Sequence, residues 1–305
     1  IQLDASGNAS VTTAQVNNGS TDNCAIDAPS LDVTSFSCAN VGANTVTLSV
    51  RDGSSNTSIC TATVTVEDNI VPEITCPGNI TVNNDPGTCG ATVTYTTPVG
   101  TDNCASPVTT MVTLGTESGA TFPIGVTPVS YRVDDANGNF TECFFNITVV
   151  DNEVPTIACP ADIIVDNDPG SCGAVVTYTE PEGIDNCVFA LTALATPLGS
   201  GDFFPVGTTT VTYDVLDADG NLASCSFTVI VNDAENPEIT YPADIVVGNS
   251  AGICGAIVNY AAPFGTDNCP GTTTSMTSVG TASGSTFPLG TTTVSYETTD
   301  GVGLT

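Results

Sequence analysis

The chain has 305 residues, and its 33 acidic side chains against two basic ones give a formal net charge of −31. Such a charge repels nucleic acid and anionic membrane surfaces, so both are excluded as partners. The basic residues are Arg51 and Arg132, and there is no Lys and no His. Without His, no Ser-His or Cys-His catalytic pair can form, and without Lys no Lys–Asn isopeptide crosslink can form. We therefore expect no enzymatic activity.

The 13 cysteines favour an oxidising, extracytoplasmic compartment. Zinc is disfavoured as their partner, because the chain has no His and no Cys-x-x-Cys pair. No segment reaches the 18 consecutive apolar residues that a membrane span requires. The sequence has no initiator Met or signal peptide, and it starts and stops inside strand-like patterns, so we expect it to be a piece of a longer protein.

The chain contains several copies of one sequence module. The sequence VPEITCP at 71–77 returns as VPTIACP at 154–160 and as NPEITYP at 236–242. Asp-Asn-Cys occurs four times, and the first occurrence lies in a diverged copy of the module. Four modules are therefore predicted, which we call repeats 1 to 4: residues 1–69 (truncated at the N-terminus), 70–152, 153–234 and 235–305 (truncated at the C-terminus).

Each repeat reads as strands only. Taken in chain order, VTLSVRD at 46–52, ATVTY at 91–95, TPVSYRV at 127–133 and FNITVVD at 145–151 alternate apolar and polar residues, and copies of the last three follow. Gly, Pro, Asn and Asp cluster between these runs and mark turns. About seven short strands in roughly 82 residues predict an immunoglobulin-like β-sandwich. The fold class is thus all-β, with disulfide-stapled sandwiches arranged in tandem, end to end.

Six spaced motifs carry a family resemblance: (V/N)P-x-I-x-C-P, G-x-C-G-A, DNC, FP-(V/I/L)-G, V-x-Y, and D-x-x-G-N followed by C-x-F. Over residues 70–305 they resemble the hyalin repeat, or HYR domain. Residues 1–69 more closely resemble the variant repeats that accompany HYR modules in giant surface proteins of gliding, Bacteroidota-type bacteria.

This resemblance implies a stalk or filament segment of a large cell-surface or secreted adhesin, exported by a type IX system, that holds adhesive regions away from the cell. Its partners would be neighbouring modules of the same chain, surface polysaccharide or other cell-surface proteins. The alternative is an array that binds carbohydrate or protein itself. The chain has no Trp, and alternation predicts core packing rather than a sugar-stacking platform for its strand tyrosines, Tyr95, Tyr131, Tyr178 and Tyr213.

Comparing which cysteines each repeat keeps or lacks allows a disulfide scheme to be predicted by subtraction. Repeat 4 has Tyr241 in place of the first cysteine yet keeps the middle two, so we expect the middle two to pair with each other and the outer two to pair as well. The predicted middle pairs are Cys89–Cys104, Cys172–Cys187 and Cys254–Cys269, the outer pairs are Cys76–Cys143 and Cys159–Cys225, and repeat 1 is assigned Cys24–Cys38. Cys60 is left without a partner.

The aspartates of the Asp-Asn-Cys motif have two readings. In the first, they only make turns by accepting hydrogen bonds from nearby backbone. In the second, sandwich topology brings a linker aspartate, the Asp-Asn-Cys loop and the Asp-x-x-Gly-Asn loop together at each junction, where a Ca²⁺ ion balances their charge. The three predicted clusters are Asp68, Asp102 and Asp135; Asp151, Asp185 and Asp217; and Asp233, Asp267 and Asp300.

Overall fold

The computed structural model describes residues 1–113, 115–279 and 282–305. These residues form two compact units, residues 1–152 and 153–305. Apart from one short helix and one 3₁₀ turn, all regular structure is β-strand, which confirms the predicted all-β class. Within the described residues, no helix is long and apolar enough to cross a membrane.

The first unit contains repeats 1 and 2. Its elements are β1 (Asn8–Ser10), α1 (Thr13–Val16), β2 (Ser30–Leu31), β3 (Ser35–Ser37), a 3₁₀ turn (Cys38–Asn40), β4 (Gly42–Arg51), β5 (Thr57–Val66), β6 (Ile80–Asn83), β7 (Gly90–Thr92), β8 (Val108–Met111), β9 (Thr121–Pro123), β10 (Gly125–Asp134) and β11 (Phe140–Val150).

The second unit contains repeats 3 and 4. Its strands are β12 (Thr156–Ile157), β13 (Ile163–Asp166), β14 (Gly173–Val175), β15 (Gly183–Ile184), β16 (Leu191–Leu194), β17 (Phe203–Pro205), β18 (Gly207–Leu216), β19 (Leu222–Asn232), β20 (Glu238–Ile239), β21 (Gly255–Ile257), β22 (Gly265–Thr266), β23 (Thr273–Met276), β24 (Thr286–Pro288) and β25 (Tyr296–Thr299).

Repeats 2 and 3 have the same sheet topology. The larger sheet has the order β6-β11-β10-β8 in repeat 2 and β13-β19-β18-β16 in repeat 3. In each, two long antiparallel strands form a hairpin, and β6 or β13 joins the last strand of the repeat in parallel. Each repeat also has a two-stranded sheet, β7-β9 or β14-β17. Repeat 3 has a further two-stranded sheet, β12-β15, whose counterpart in repeat 2 is the single bridge between Glu73 and Thr101.

The core of repeat 2 lies between these two sheets. Ala91 and Phe122 on the small sheet pack against Val129, Tyr131 and Ile147 on the large one, and all five are buried. Strict alternation explains this arrangement, because every second side chain of β10 and β11 points to the same face of the sheet. Repeat 3 repeats the core with Ala174, Phe204, Val211, Tyr213 and Val229.

The strand tyrosines belong to these cores. Tyr131 and Tyr213 are each 3% exposed. The ring of Tyr95 meets Phe145 edge to face, at 5.1 Å between ring centroids. Its hydroxyl lies 3.0 Å from that of Tyr131, and burial together with this hydrogen bond raises the pKa of Tyr95. Such rings are not available as a flat stacking surface.

The flanking repeats keep the pattern with fewer strands. Repeat 1 has the sheets β2-β4-β5 and β1-β3, around a core that includes Phe36, Val46 and Val66. Repeat 4 has three two-stranded ladders, β20-β22, β21-β24 and β23-β25.

Candidate functional site

The Asp-Asn-Cys loop is anchored by a glycine at its base. In repeat 3 this residue is Gly183, where a Cβ atom would lie 2.2 Å from Cγ2 of Val215. Its backbone N–H donates to Oγ1 of Thr192 at 2.8 Å. Gly100 and Gly265 have equally close neighbours and equivalent bonds. Only glycine fits this close approach, so the start of the loop is fixed against the large sheet.

The aspartate of the motif folds the loop. In repeat 2, Oδ2 of Asp102 accepts a hydrogen bond from the backbone N–H of Cys104 at 3.0 Å. Asp22, Asp185 and Asp267 make the same bond with the cysteine that follows two residues later. The turn-making reading of Asp-Asn-Cys is thus present in all four loops.

The cysteine of the motif crosses to the neighbouring repeat. Cys104 of repeat 2 is bonded to Cys38 of repeat 1, and Cys269 of repeat 4 is bonded to Cys172 of repeat 3. Their Cα atoms lie 5.5 and 4.8 Å apart. Within each unit, therefore, adjacent repeats are covalently joined through their Asp-Asn-Cys loop.

These bonds correct the subtraction scheme. The predicted pairs Cys24–Cys38, Cys89–Cys104, Cys172–Cys187 and Cys254–Cys269 are wrong. Cys24 and Cys254 are exposed free thiols, whereas Cys89 and Cys187 are disulfide-bonded. The outer pairs Cys76–Cys143 and Cys159–Cys225 are present, and Cys60 is free as expected.

The direction of the chain explains the error. After Cys172, strand β14 continues in extended form through Tyr178, with hydrogen bonds to Ser200 and Asp202. Strand β14, which directly follows Cys172, pairs with β17, whereas β15, which precedes Cys187, pairs with β12. The two cysteines therefore lie next to strands of different sheets, and Cys172 is bonded to Cys269 of the next repeat instead.

At the junction of the first unit, aspartates converge beside the cystine. Carboxylate oxygens of Asp68 and Asp102 and the sulfur of Cys104 lie within 4.8 Å of one another. Asp68 is 5% exposed and is held by side-chain amides, because Asn103 donates to its Oδ1 at 3.2 Å and Asn137 to its Oδ2 at 3.3 Å. Linker, Asp-Asn-Cys loop and Asp-x-x-Gly-Asn loop therefore meet here.

Asp135 is placed differently from the other two predicted ligands. Its Oδ1 accepts from the backbone of Asn137 and Asn139, and its Oδ2 accepts from the Asn139 side chain at 2.7 Å. Burial opposes ionisation of this carboxyl, but the bonds from Asn139 outweigh it and lower its pKa. Asp135 is linked to Asp68 only through Asn139, which also donates to the Asp68 carbonyl at 3.0 Å.

The junction of the second unit repeats the arrangement. Carboxylate oxygens of Asp233 and Asp267 and the sulfur of Cys269 lie within 4.8 Å of one another. Asn268 donates to the carbonyl of Ser171, next to Cys172, at 2.9 Å. Asp300, like Asp135, folds its own turn by accepting backbone bonds from residues 302, 303 and 304, and it does not belong to the close group.

The middle predicted cluster is divided between the units. Asp151 lies in the first unit, whereas Asp185 and Asp217 lie in the second, so this cluster stays a prediction. Within the second unit, Asp217 makes the same kind of turn as Asp135, with Oδ1 accepting from the backbone of Asp219, Gly220 and Asn221.

Sequence reasoning missed the asparagines. Asn103 and Asn268 bridge adjacent repeats, and Asn137 and Asn139 hold the linker aspartate. The sequence contained a signal for this role. The turn needs only the Asp and the Cys, yet all four motifs also have Asn between them.

A family model supports the repeat architecture directly. The model for the HYR domain matches residues 67–149, 150–231 and 232–305. The chain belongs to the HYR family. Hyalin of Strongylocentrotus purpuratus is 36% identical over 265 residues, and hyalin of Lytechinus variegatus is 35% identical over 262. These alignments cover 84% and 83% of the chain but only 22% and 48% of the two hyalins.

A third relative is a multidomain protein. "Sushi, von Willebrand factor type A, EGF and pentraxin domain-containing protein 1" of Rattus norvegicus is 29% identical over 199 residues. The alignment covers 63% of this chain and 5% of that protein.

Proposed function

We propose that this chain is a structural segment of an extracellular, adhesion-type repeat protein, and that it acts as a spacer that holds adhesive regions away from a surface. The observation that carries the proposal is the covalent bond between adjacent repeats, Cys38–Cys104 and Cys172–Cys269. A covalent bond between neighbouring repeats restricts how they move relative to each other, which suits a spacer. Disulfides of this number are also typical of proteins from an oxidising compartment.

A spacer under tension benefits from bonds of this kind. The Cys172–Cys269 bond closes 97 residues, and the Cys159–Cys225 bond closes 66. When a pulled domain unfolds, the closed segment stays shielded from extension. At up to about 3.6 Å per residue, the Cys172–Cys269 bond alone shortens the fully extended chain by roughly 350 Å.

Force spectroscopy on the whole chain tests this proposal. The chain is held at its termini and extended before and after treatment with a thiol reductant. We expect the extension after unfolding to be several hundred Å shorter in the oxidised chain. The Cys172→Ser/Cys269→Ser variant should lengthen on oxidised pulling, because the segment between these two positions is no longer closed by their bond. Equal extension of the oxidised and reduced chains would contradict the spacer function.

Two narrower predictions belong to the same proposal. The first is the setting on the surface of a gliding bacterium with export by a type IX system, and the flanking sequence of the gene tests it by the presence of a sorting domain. The second is the alternative that the repeats themselves bind polysaccharide or cell-surface protein. A glycan array probed with the chain tests this alternative. Saturable binding would show that the repeats act as a receptor rather than as a spacer.

A further inference from the structure

We propose that the outer face of the large sheet in repeat 3 is a docking surface for another protein, and that this partner offers apolar side chains beside arginine. The surface consists of Phe189 and a row of three leucines, Leu191, Leu216 and Leu222, and we call it the leucine face. The inference goes beyond the proposed spacer function and does not rest on it, since a segment that separates other regions can also carry a docking surface of its own.

The three leucines lie side by side on neighbouring strands. In the register of the large sheet, Leu191 of β16 is opposite Leu216 of β18, which is in turn opposite Leu222 of β19. Their exposed fractions are 69%, 42% and 54%. Opposite side chains in antiparallel strands have Cβ atoms about 4.5–5.5 Å apart, so the row is one continuous apolar strip. A single exposed leucine is ordinary, but contiguous exposed apolar surface is typical of interaction sites.

Phe189 occupies a loop position where a phenylalanine is unfavourable. The second residue after the cysteine of the Asp-Asn-Cys motif has a positive φ in three repeats, 74° at Ser106, 79° at Phe189 and 118° at Gly271. A bulky side chain is strained in this region of φ, whereas glycine adopts it freely. Phe189 is 82% exposed, so packing does not offset the strain. Folding therefore does not account for a phenylalanine here, whereas recognition of a partner does.

Repeat 4 shows that the sandwich does not need these apolar side chains. Its strands β23 and β25 pair in the same register, with Thr273 opposite Thr299 where repeat 3 has Leu191 opposite Leu216. The loop position of Phe189 is a glycine in repeat 4. Small or polar residues thus build the same strands and the same loop. The leucine face is therefore an addition to the shared fold rather than a part of it.

Repeat 2 shows which kind of group covers this end of the sheet. The row that corresponds to the leucines has Asp134 opposite Phe140, and the guanidinium of Arg132 lies 3.8 Å from the centroid of the Phe140 ring. The same guanidinium is paired with Asp134 at 2.6 Å. Arginine suits this place, because its planar and weakly hydrated guanidinium packs on apolar surface while it binds a carboxylate. In repeat 3 the position of Arg132 is Asp214, so the covering cation must come from another molecule.

The charge around the leucine face selects a basic partner. Asp214 lies two residues before Leu216 on the same face of β18, and Asp219 is exposed in the turn between Leu216 and Leu222. Residues 153–305 contain no Lys, Arg or His, so no basic side chain of the second unit balances these carboxylates. A second copy of the chain, with its net charge of −31, is repelled. A protein that presents arginine beside apolar side chains matches the face in both charge and polarity.

Peptide selection on the whole disulfide-bonded chain tests the proposal. A phage-displayed library of random short peptides is selected at about 0.15 M salt, where weak attraction between distant charges is screened. We expect the enriched peptides to contain arginine beside aromatic or aliphatic residues. A synthetic copy of the most enriched peptide is then titrated against the chain and its variants by isothermal titration calorimetry.

The decisive variant is Phe189→Ser/Leu191→Thr/Leu216→Thr, which introduces the residue types that repeats 2 and 4 have at these positions. It removes the apolar anchors and leaves the net charge unchanged. Because a few buried anchors carry most of the energy of an interface, the peptide should bind this variant about tenfold or more weakly. The matched control is Ile164→Thr, which removes an exposed apolar side chain from β13 of the same sheet and should leave the affinity unchanged.

Several results would overturn the docking surface. A selection that enriches no peptide, or peptides without an excess of arginine and lysine, would remove the basic partner. Unchanged affinity in the triple variant would show only diffuse attraction between a cationic peptide and an acidic chain. Dimers of the free chain that disappear in this variant, measured by sedimentation, would show that a second copy covers the face instead. Thermal unfolding of each variant checks that the sandwiches remain folded, so that lost binding is not mistaken for unfolding.

Discussion

The cystines within a repeat and those between repeats differ in what they hold together. Cys76–Cys143 and Cys159–Cys225 connect the segment before β6 or β13 to β11 or β19, and these cysteines pack against the hydrophobic core. Cys38–Cys104 and Cys172–Cys269 connect two loops from different repeats beside a group of carboxylates. The first kind stabilises a sandwich, whereas the second kind fixes a junction.

This difference shows that one repeat is not a complete structural unit. Its core closes within its own sequence, but the loop carrying Cys38 or Cys172 has a partner only in the next repeat. The polar junction also depends on both neighbours, since Asn268 of repeat 4 donates to the backbone of repeat 3. A single repeat excised from the chain would keep its core and expose two unpaired thiols.

The largest effects are expected from removing a cystine. The Cys159→Ala/Cys225→Ala variant should lose about 4 kcal/mol of unfolding free energy in repeat 3, because its 66-residue loop is no longer closed in the unfolded chain. The matched junction variant, Cys172→Ala/Cys269→Ala, opens a 97-residue loop and should lose a similar amount, about 4–5 kcal/mol, shared between repeats 3 and 4. Native-state hydrogen exchange in denaturant measures the loss in each repeat. A junction variant that loses protection in only one repeat would remove the distinction between the two kinds of cystine.

A smaller effect is expected at the base of the Asp-Asn-Cys loop. In Gly183→Ala, the new Cβ would lie 2.2 Å from Cγ2 of Val215, so the loop must shift away from the sheet. Overpacking of this kind costs about 1–3 kcal/mol. Gly248→Ala is the control, because nothing lies within 4 Å of the added atom. Thermal unfolding of both variants gives the comparison, and a Gly183→Ala chain as stable as the control would show that the loop is not anchored there.

Sequence patterns predicted the sandwiches and missed the junctions for one physical reason. Alternation along β10 and β11 and the replacement of the first cysteine by Tyr241 in repeat 4 are signals within one repeat, and they predicted the core and the outer cystine. Cys172 is bonded to Cys269, which lies in the next repeat. A scheme that compared cysteines only within one repeat could not predict this pair. The predicted grouping of Asp68 with Asp102 follows from topology, whereas the use of Asp135 in its own turn does not.

Acid should weaken the turns that lie in the Asp-x-x-Gly-Asn loops. Burial opposes ionisation of Asp217, but hydrogen bonds from Asn221, Gly220 and Asp219 outweigh it and lower its pKa. A lowered pKa in the folded state adds stability that is present above the unfolded value of about 3.9 and is lost as pH falls through the folded value. Asp217→Asn should cost about 1–2 kcal/mol at pH 7 in chelator and nothing near pH 2.

The control for the acid experiment is Asp219→Asn, whose side chain is exposed. Unfolding free energies of the three chains are compared across pH 2 to 7. A cost of Asp217→Asn that stays constant down to pH 2 would show that the ionised carboxyl is not what stabilises this turn.

The smallest effect concerns the three free thiols, Cys24, Cys60 and Cys254, which are all exposed. Ellman titration without reductant should find three thiols per chain. The loop of Cys254 has the same backbone bonds as that of Cys172, with Ser250 N–H donating to the Gly255 carbonyl at 2.8 Å. In glutathione disulfide, which accepts the two electrons and two protons, Cys254 should therefore join Cys24 of a second chain in preference to Cys60. Dimers unaffected by Cys254→Ser would contradict this preference.

Disulfide mapping tests the covalent junction most directly. The chain has its free thiols blocked and is cut without reduction by a protease specific for acidic residues, because it has only two basic ones. Cleavage at Glu180, Glu182 or Asp185 separates Cys172 from Cys187 before mass spectrometry. The account predicts a linked pair of peptides that contains Cys172 and Cys269, and a second pair that contains Cys38 and Cys104. Recovery of Cys172 linked to Cys187 instead would contradict it.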